Sequence, residues 1–420
     1  MKPALVLVGV LLGGTAVATA TMLTIAGPDA GQMSITIGDH GHERPGPDSA
    51  RVAMLLDAMQ RTDAVTCEML SDQIGNFWWG RDAWGLGRLH DARSEVRAAK
   101  DSVSGRVRDA RAIRLLSTRL DSEDPCVRRT AAKMLGNSTA SDAVLVAALE
   151  SPSPRVREAA LLAIGEAERP TLRTRVEREL RGNDAASVAM AAYALGELED
   201  RASVDPLEDV LNHADARVRM TATWALGMIE DARAVPAVMR MLDDRETMVR
   251  WAAADALGDI ESRDAAGALH RQLARESDRR VRLAIVSALG DIEDASSLEP
   301  LARVLEGNDL ELSIAAAEAI GDLDNIHSAP AALIRAVSSP DRELRHAAVH
   351  ALEHIEDPAS IPAMIGVIAD ADSRVRRAAI EMLGNMGATQ AKVAITRALE
   401  DPDPEVRMAA IEALAELEDQ

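Results

Sequence analysis

Two stretches of this chain read as copies of one pattern: Asp215-Ala-Arg-Val218-Arg219-Met-Thr-Ala222-Thr-Trp-Ala-Leu226-Gly227 and Asp372-Ser-Arg-Val375-Arg376-Arg-Ala-Ala379-Ile-Glu-Met-Leu383-Gly384. With the valine as position 0, the frame recurs at Val127, Val156, Ser187, Val218, Val249, Val281, Leu312, Leu344, Val375 and Val406, at intervals of 29 to 32 residues. Position +8 is Leu or Ile in all ten copies, +9 is Gly in eight, and −3 is Asp in eight. A fixed period of this length marks units that bury their apolar faces only against neighbours. It excludes a single compact core.

Each recurring position has a physical role. Asp at −3 is expected to cap a helix, its carboxylate accepting from a free backbone N–H. Proline follows it at Pro125, Pro154 and Pro404, the first helical position, where a missing N–H costs nothing. Positions 0, +4, +7 and +8 share one helical face and are mostly apolar. Gly at +9 suits a helix end or close packing. An acidic turn follows, as in Glu199-Asp200, Glu230-Asp231, Glu293-Asp294 and Glu356-Asp357. A second helix comes next, often with an early proline such as Pro206, Pro236, Pro300, Pro330 or Pro362. One unit is therefore two antiparallel helices, and the chain is all-α. Asp63 to Gly75, and the stretch around Val96 and Gly105, fit the frame more loosely. About twelve units of roughly 31 residues then run from Ala50 onward. Glu405, Glu412, Glu416 and Glu418 give the last helix, Pro404 to Leu417, a polar exterior suited to closing the stack.

Composition agrees with packed helices. Of 420 residues 47% are hydrophobic, yet the aromatics are only Phe77, Trp78, Trp79, Trp84, Tyr193, Trp224 and Trp251. A core of small and aliphatic side chains suits helices and argues against an all-β sandwich. So much apolar surface also excludes disorder over most of the length. Lys and Arg total 47 against 68 Asp and Glu, a net charge of −21. Phosphate neutralisation needs a basic face, so nucleic acid is not an expected partner. A basic or neutral protein partner fits this balance.

Lys2 is followed by an uncharged, mostly apolar run to Gly27 that contains Ala18-Thr19-Ala20. Residues 1–27 therefore read as a secretory signal peptide or, uncut, as an N-terminal membrane anchor. Residues 28–49, broken by Pro28, Gly31, Gly38, Gly41, Pro45, Gly46 and Pro47, read as a flexible linker. Either way the bulk of the chain is expected outside the cytoplasm, periplasmic or tethered to the membrane. Only the N-terminal segment would touch the bilayer. Cys67 and Cys126 could form a disulfide in that compartment. Nothing in the sequence places them near each other, which favours two unpaired thiols.

The signature D-x-x-V-R-x-x-A-x-x-A-L-G resembles the HEAT repeat, in the short form of phycobilin-lyase-like proteins. The resemblance covers about residues 110–420 and is specific for architecture rather than activity. It implies a right-handed α/α superhelix, a HEAT/armadillo-like solenoid, with irregular capping repeats over 50–105 and a regular array over 106–420. It further implies that Arg at +1, present in eight of ten units, forms a ladder with Asp at −3, and that the signature helix lines the concave surface.

The candidate site follows from the helical wheel. The buried arc centres near positions 0 and +4, so +2 and +6 point the other way and should be polar. Near the ends they are: Arg129 and Lys133, Arg377 and Glu381. In five consecutive middle units they are not: Tyr193, Met220, Trp224, Trp251, Leu283 and Ile314 stand there. An apolar row on a concave face reads as a partner-binding surface, with Tyr193, Trp224 and Trp251 as anchors. The competing reading is that curvature buries them against neighbouring helices. His346, His350 and His354, at +2, +6 and +10 of one helix, are a weak metal candidate; a solvated, pH-sensitive face is the plainer reading. The Phe77-Trp78-Trp79 run with Trp84 reads as packing in the N-terminal cap, with a partner or membrane-proximal patch as the alternative.

Catalysis has little in the sequence to rest on. One HEAT-like family of iron-dependent hydroxylases uses His-Glu dyads, but Ala347 follows His346, and the chain's His-Glu pair, His42-Glu43, lies in the linker. No G-x-S-x-G, H-E-x-x-H or phosphate loop occurs. The expected function is a non-catalytic scaffold that binds a protein or peptide and uses no cofactor. The alternative is a lyase or chaperone for a cofactor-bearing protein, or a divergent metal-dependent oxidoreductase.

Overall fold

The computed structural model describes residues 22–27, 30–36, 47–60, 106–138 and 140–419. Cys67, the Phe77-Trp78-Trp79 run, Trp84, and the units framed on Thr66 and Val96 lie outside these residues, as does most of the N-terminal apolar run.

Met22–Gly27 (β1) and Ala30–Thr36 (β2) pair as antiparallel strands, Met22 opposite Thr36. Part of the expected linker over 28–49 is thus a strand. Its physical basis is local: Thr24, Ile25, Ile35 and Thr36 are β-branched, and the sequence between the strands, Pro28-Asp29, is turn-forming.

The rest is helical, as the period requires. Ser49–Met59 (α1) and Ala110–Arg119 (α2) precede an alternation of long and short helices: Pro125–Gly136 (α3), Asp142–Leu149 (α4), Pro154–Gly165 (α5), Arg173–Glu179 (α6), Ala185–Glu197 (α7), Val204–Asp209 (α8) and Ala216–Met228 (α9). The series continues with Val235–Met241 (α10), Thr247–Asp259 (α11), Ala266–Arg275 (α12), Arg279–Asp291 (α13), Leu298–Leu305 (α14), Leu310–Asp322 (α15), Ala331–Ala336 (α16), Arg342–Ile355 (α17), Ile361–Val367 (α18), Ser373–Asn385 (α19), Lys392–Ala398 (α20) and Pro404–Asp419 (α21). The long helices carry the signature. Asp124, Asp184, Asp215, Asp278, Asp309, Asp341 and Asp372 accept backbone N–H bonds at their starts. Ser153 and Glu246, where Asp is missing, make no side-chain cap bond. Each short helix packs chiefly on the long helix that follows it, as α14 does on α15. The compact hairpin is therefore short-then-long, out of phase with a unit opened by the signature helix. Connection length explains this: four residues separate Leu305 from Leu310, whereas six separate Asp291 from Leu298.

Gly at +9 is a packing residue. A Cβ on Gly227 would lie 2.8 Å from Cα of Ala256, one on Gly196 would lie 2.9 Å from Cα of Ala225, and one on Gly165 2.8 Å from Cα of Ala194. Glycine at +9 thus meets alanine at +7 of the next layer along a seam broken at Glu353. Left-handed backbone falls three residues later, on Glu168, Glu199, Glu230, Glu261, Glu293 and Glu356, with φ between 47° and 55°. The seam pulls successive long helices together, and they are in extensive contact from layer to layer; successive short helices touch each other less. A stack held tighter on one side curves toward that side, so the long helices line the concave face.

The arginine ladder exists with a different carboxylate from the one expected. Arg219, Arg250, Arg345 and Arg376 make bidentate pairs with Asp244, Glu276, Asp370 and Asp401, at −5 of the next unit, with Nε–oxygen distances of 2.7–2.8 Å. The same carboxylates accept the N–H of Glu246, Asp278, Asp372 and Asp403. Asp at −3 caps its own helix instead; Asp215 also pairs with Arg217 of that helix, and Asp309 also receives Arg279, at −2 of the preceding unit. At the other side of each arginine, Nη1 bonds two carbonyls ahead of its own helix, as Arg219 does to His213 and Ala214.

The two ends of the described array differ from its middle. Helix α1 packs directly on α2 and α3, and Ser49 N–H donates to Asp109 at 3.1 Å. The last helix is only partly polar outside: Met408 and Ile411 are 55% and 54% exposed. The reason is positional, since Ile411 is at +5, a position buried wherever a further layer covers it, as in Ala254, Val286 and Ile380. Cys126 is disulfide-bonded, contrary to the reading of unpaired thiols; the chain's other cysteine is Cys67. Sequence distance gave no sign of it, because the stack and not the chain order sets neighbours. Among the described residues no helix is long and apolar enough to cross a membrane.

Two predictions follow from the seam and the bond. Gly227→Ala should destabilise by about 1–3 kcal/mol through overpacking. Gly366→Ala, where a Cβ meets nothing within 4 Å, should be neutral or stabilise by about 0.5–1 kcal/mol; equal effects in chemical denaturation would contradict the seam. Thiol labelling of denatured protein should find no free cysteine before reduction and both afterwards.

Candidate partner-binding face

The structure brings Tyr193, Met220, Trp224, Trp251, Leu283 and Ile314 onto the concave long helices, α7, α9, α11, α13 and α15, one layer after another. All six are half-buried. Neither sequence reading holds in pure form: the side chains rest on the layer below and keep a face to solvent. Five of them, Tyr193 apart, pack against the core from outside. Tyr193 and Trp224 stack with ring centroids 5.3 Å apart and planes at 9°. Room for this comes from the seam, since a Cβ on Gly196 would lie 2.9 Å from the Trp224 ring. The Tyr193 hydroxyl hydrogen-bonds Glu197, and burial pushes that hydroxyl well above the usual phenol range.

Wheel reasoning missed a row of carboxylates. Position +10 is acidic in Glu166, Glu197, Asp259, Asp291, Asp322 and Glu416, a signal present in the spacing. These side chains lie over the seam: Oδ2 of Asp259 is 3.1 Å from a Cβ on Gly227, and Oδ2 of Asp291 is 3.0 Å from one on Gly258. Burial first, and then the charges of Asp255, Asp291, Glu230 and Glu261, push the Asp259 carboxyl up to about 6. Burial likewise raises Asp255, and raises Asp291 together with Asp322 and Glu261. Glu197 is also raised by burial, against its bond from Tyr193. Toward the N-terminal end the same geometry is neutralised: Lys133, at +6 of α3, reaches Glu166 of the next layer at 2.8 Å. Three layers further along, Trp224 occupies the lysine's position relative to Asp259.

The three histidines share the concave stripe of α17. His350 and His354 have ring centroids 4.8 Å apart in an edge-on arrangement, and burial, then Arg374, lowers the pKa of His346. Among the described residues no group of three His, Cys, Asp or Glu side chains converges as metal ligands would.

With the seam, the caps and the ladder in view, the class is a helical-repeat solenoid. The chain belongs to the HEAT-repeat family: a model described as HEAT repeats matches residues 86–165, 174–256, 240–321, 301–380 and 362–420. Similar solved structures include an engineered protein, 19% identical over 88% of this chain and 99% of that one, with a TM-score of 0.42. The CpcE–CpcF complex of phycocyanin lyase from a Nostoc species is 22% identical over 59% of this chain and 94% of that one, at a TM-score of 0.34. Importin beta is 15% identical over 88% of this chain and 52% of that one, at 0.48. No curated protein sequence matches.

Stability should respond to pH in two limbs. Asp259 titrates at about 6 in the fold against the usual 3.8, so the folded state holds the extra proton and stability rises as pH falls from about 6 toward 4. Glu276 moves the other way. Burial opposes ionisation, but the bonds from Arg250, the Asp278 N–H and Gln272 outweigh it and hold the group at about 2 against 4.5. Its contribution is complete above about 4.5 and is lost as pH falls toward 2. Asp259→Asn should flatten the upper limb alone, in denaturation profiles taken from pH 8 to 3.

Proposed function

We propose that this protein is a non-catalytic HEAT-repeat scaffold that acts outside the cytoplasm and holds a protein or peptide segment against its concave face. The observation that carries the reading is the stacked Tyr193–Trp224 pair, with Trp251 one layer on. A chain this poor in aromatics places three of its seven half-exposed on a single curved surface. Large, stiff aromatic side chains bury much area on contact with little entropy to lose, which makes them effective anchors. HEAT repeats typically offer such surfaces to protein partners, though fold alone does not fix activity. The export reading draws on the apolar N-terminal run after Lys2 and on the disulfide at Cys126, a bond that persists in oxidising compartments.

Crosslinking capture from the envelope fraction tests both parts. The wild-type chain should retain a partner that the Trp224→Ala/Trp251→Ala variant loses by about tenfold or more, while thermal melts show that variant still folded at the capture temperature. Equal capture by both would overturn the anchor reading. The N-terminus of the recovered protein should lie near residue 20 if the leader is cut; recovery from the cytosol with Met1 intact would sink the location.

A further inference from the structure

The concave face pairs its aromatics with charge of one sign. From α7 to α15 the outward positions +2, +6 and +10 hold Glu197, Asp255, Asp259, Asp291, Glu318 and Asp322, and no Lys or Arg. Among the described residues none of these six takes part in an ion pair, and the +1 arginines of α9 and α11, Arg219 and Arg250, are tied into the ladder. The chain itself shows what this geometry accepts, because Lys133 sets its ammonium 2.8 Å from the seam carboxylate Glu166. Between α9 and α11 the carboxylate, Asp259, remains and Trp224 stands in the lysine's place. An incoming cation there meets an anionic oxygen and an aromatic ring together, and both attract it.

We infer that the segment held on this face is a cationic peptide stretch, with Arg or Lys side chains lodged between Tyr193, Trp224 and Trp251 and the carboxylates of Asp255, Asp259 and Asp291. The inference rests on the concave-face reading above and supplies the chemistry of the partner. Four layers some 8–10 Å apart span about 27 Å, or roughly eight residues of extended chain. Seam carboxylates stand on α11, α13 and α15 in succession, and on α7, with Met228 in that place on α9. Basic side chains spaced two to three residues apart would therefore meet successive layers. Desolvated carboxylates without a partner are costly to keep ionised; a bound guanidinium or ammonium removes that cost.

The test titrates the full chain with fluorescein-labelled peptides of about ten residues, identical except for Arg/Lys, Gln or Glu at alternate positions. The Arg/Lys peptide should bind tightest and weaken steeply with added salt. Its affinity should fall about tenfold in Asp259→Asn/Asp291→Asn and again in Trp224→Ala/Trp251→Ala. The control Glu208→Gln/Asp209→Asn changes the net charge equally on a short helix and should leave affinity unchanged. The carboxylate variant is the decisive one, since removing raised carboxylates does not threaten folding; thermal melts check this. If the Gln peptide binds as tightly and with the same dependence on Trp224 and Trp251, the cationic inference fails while the scaffold reading stands. If the control loses affinity as much as the concave variant, the attraction is a diffuse effect of net charge and the inference falls. Absence of binding by any peptide overturns it too, and the crosslinking capture then decides the scaffold reading separately.

Discussion

Contact between glycine at +9 and alanine at +7 of the next layer governs the architecture. Removing one Cβ per layer lets two helix backbones approach closely, and repeating this contact sets the tilt between layers. Everything else in the array is arranged around it. The Gly–Ala seam brings the long helices to the inside of the curve, leaves the short helices splayed outside, and makes the shallow floor on which Trp224 lies over Gly196.

The polar clamps divide the labour cleanly. Asp at −3 satisfies free N–H groups at a helix start. The carboxylate at −5 receives the arginine of the preceding unit and a backbone N–H as well. Arg219 and Asp244 are 8% and 9% exposed, so the pair would be expensive to bury if its remaining hydrogen bonds were not also met. They are met, through carbonyls on one side and an amide on the other. Such a clamp fixes register between units, which a seam of small apolar residues cannot do by itself.

Much of the fold was legible from residues alone, because in a solenoid each unit sees only its neighbours and the sequence repeats the environment. Caps, the apolar stripe and the alternation of helices over the regular array followed from spacing. The arginine's partner did not: Asp215 and Asp244 are both acidic and close to a signature helix, and only side-chain direction distinguishes them. Pairing of short and long helices was hidden likewise, since it depends on which connection is tighter. The candidate site was half legible. Tyr193, Trp224 and Trp251 stood out as apolar residues at polar positions, while Asp259 and Asp291 looked like ordinary surface acids until the seam placed them against glycine.

The sequence by itself determined that this is a stack of two-helix units, where each helix begins, and which residues break the pattern on the exposed stripe. Those depend on local periodicity and capping, which neighbouring residues in the chain decide. Tertiary structure alone decided the curvature, the half-burial of the aromatic row, the engagement of Cys126 in a disulfide, and the raised carboxylates along the seam. The curvature, the aromatic row and the carboxylates depend on distances between residues about one repeat apart, set by how closely glycine lets two helices meet.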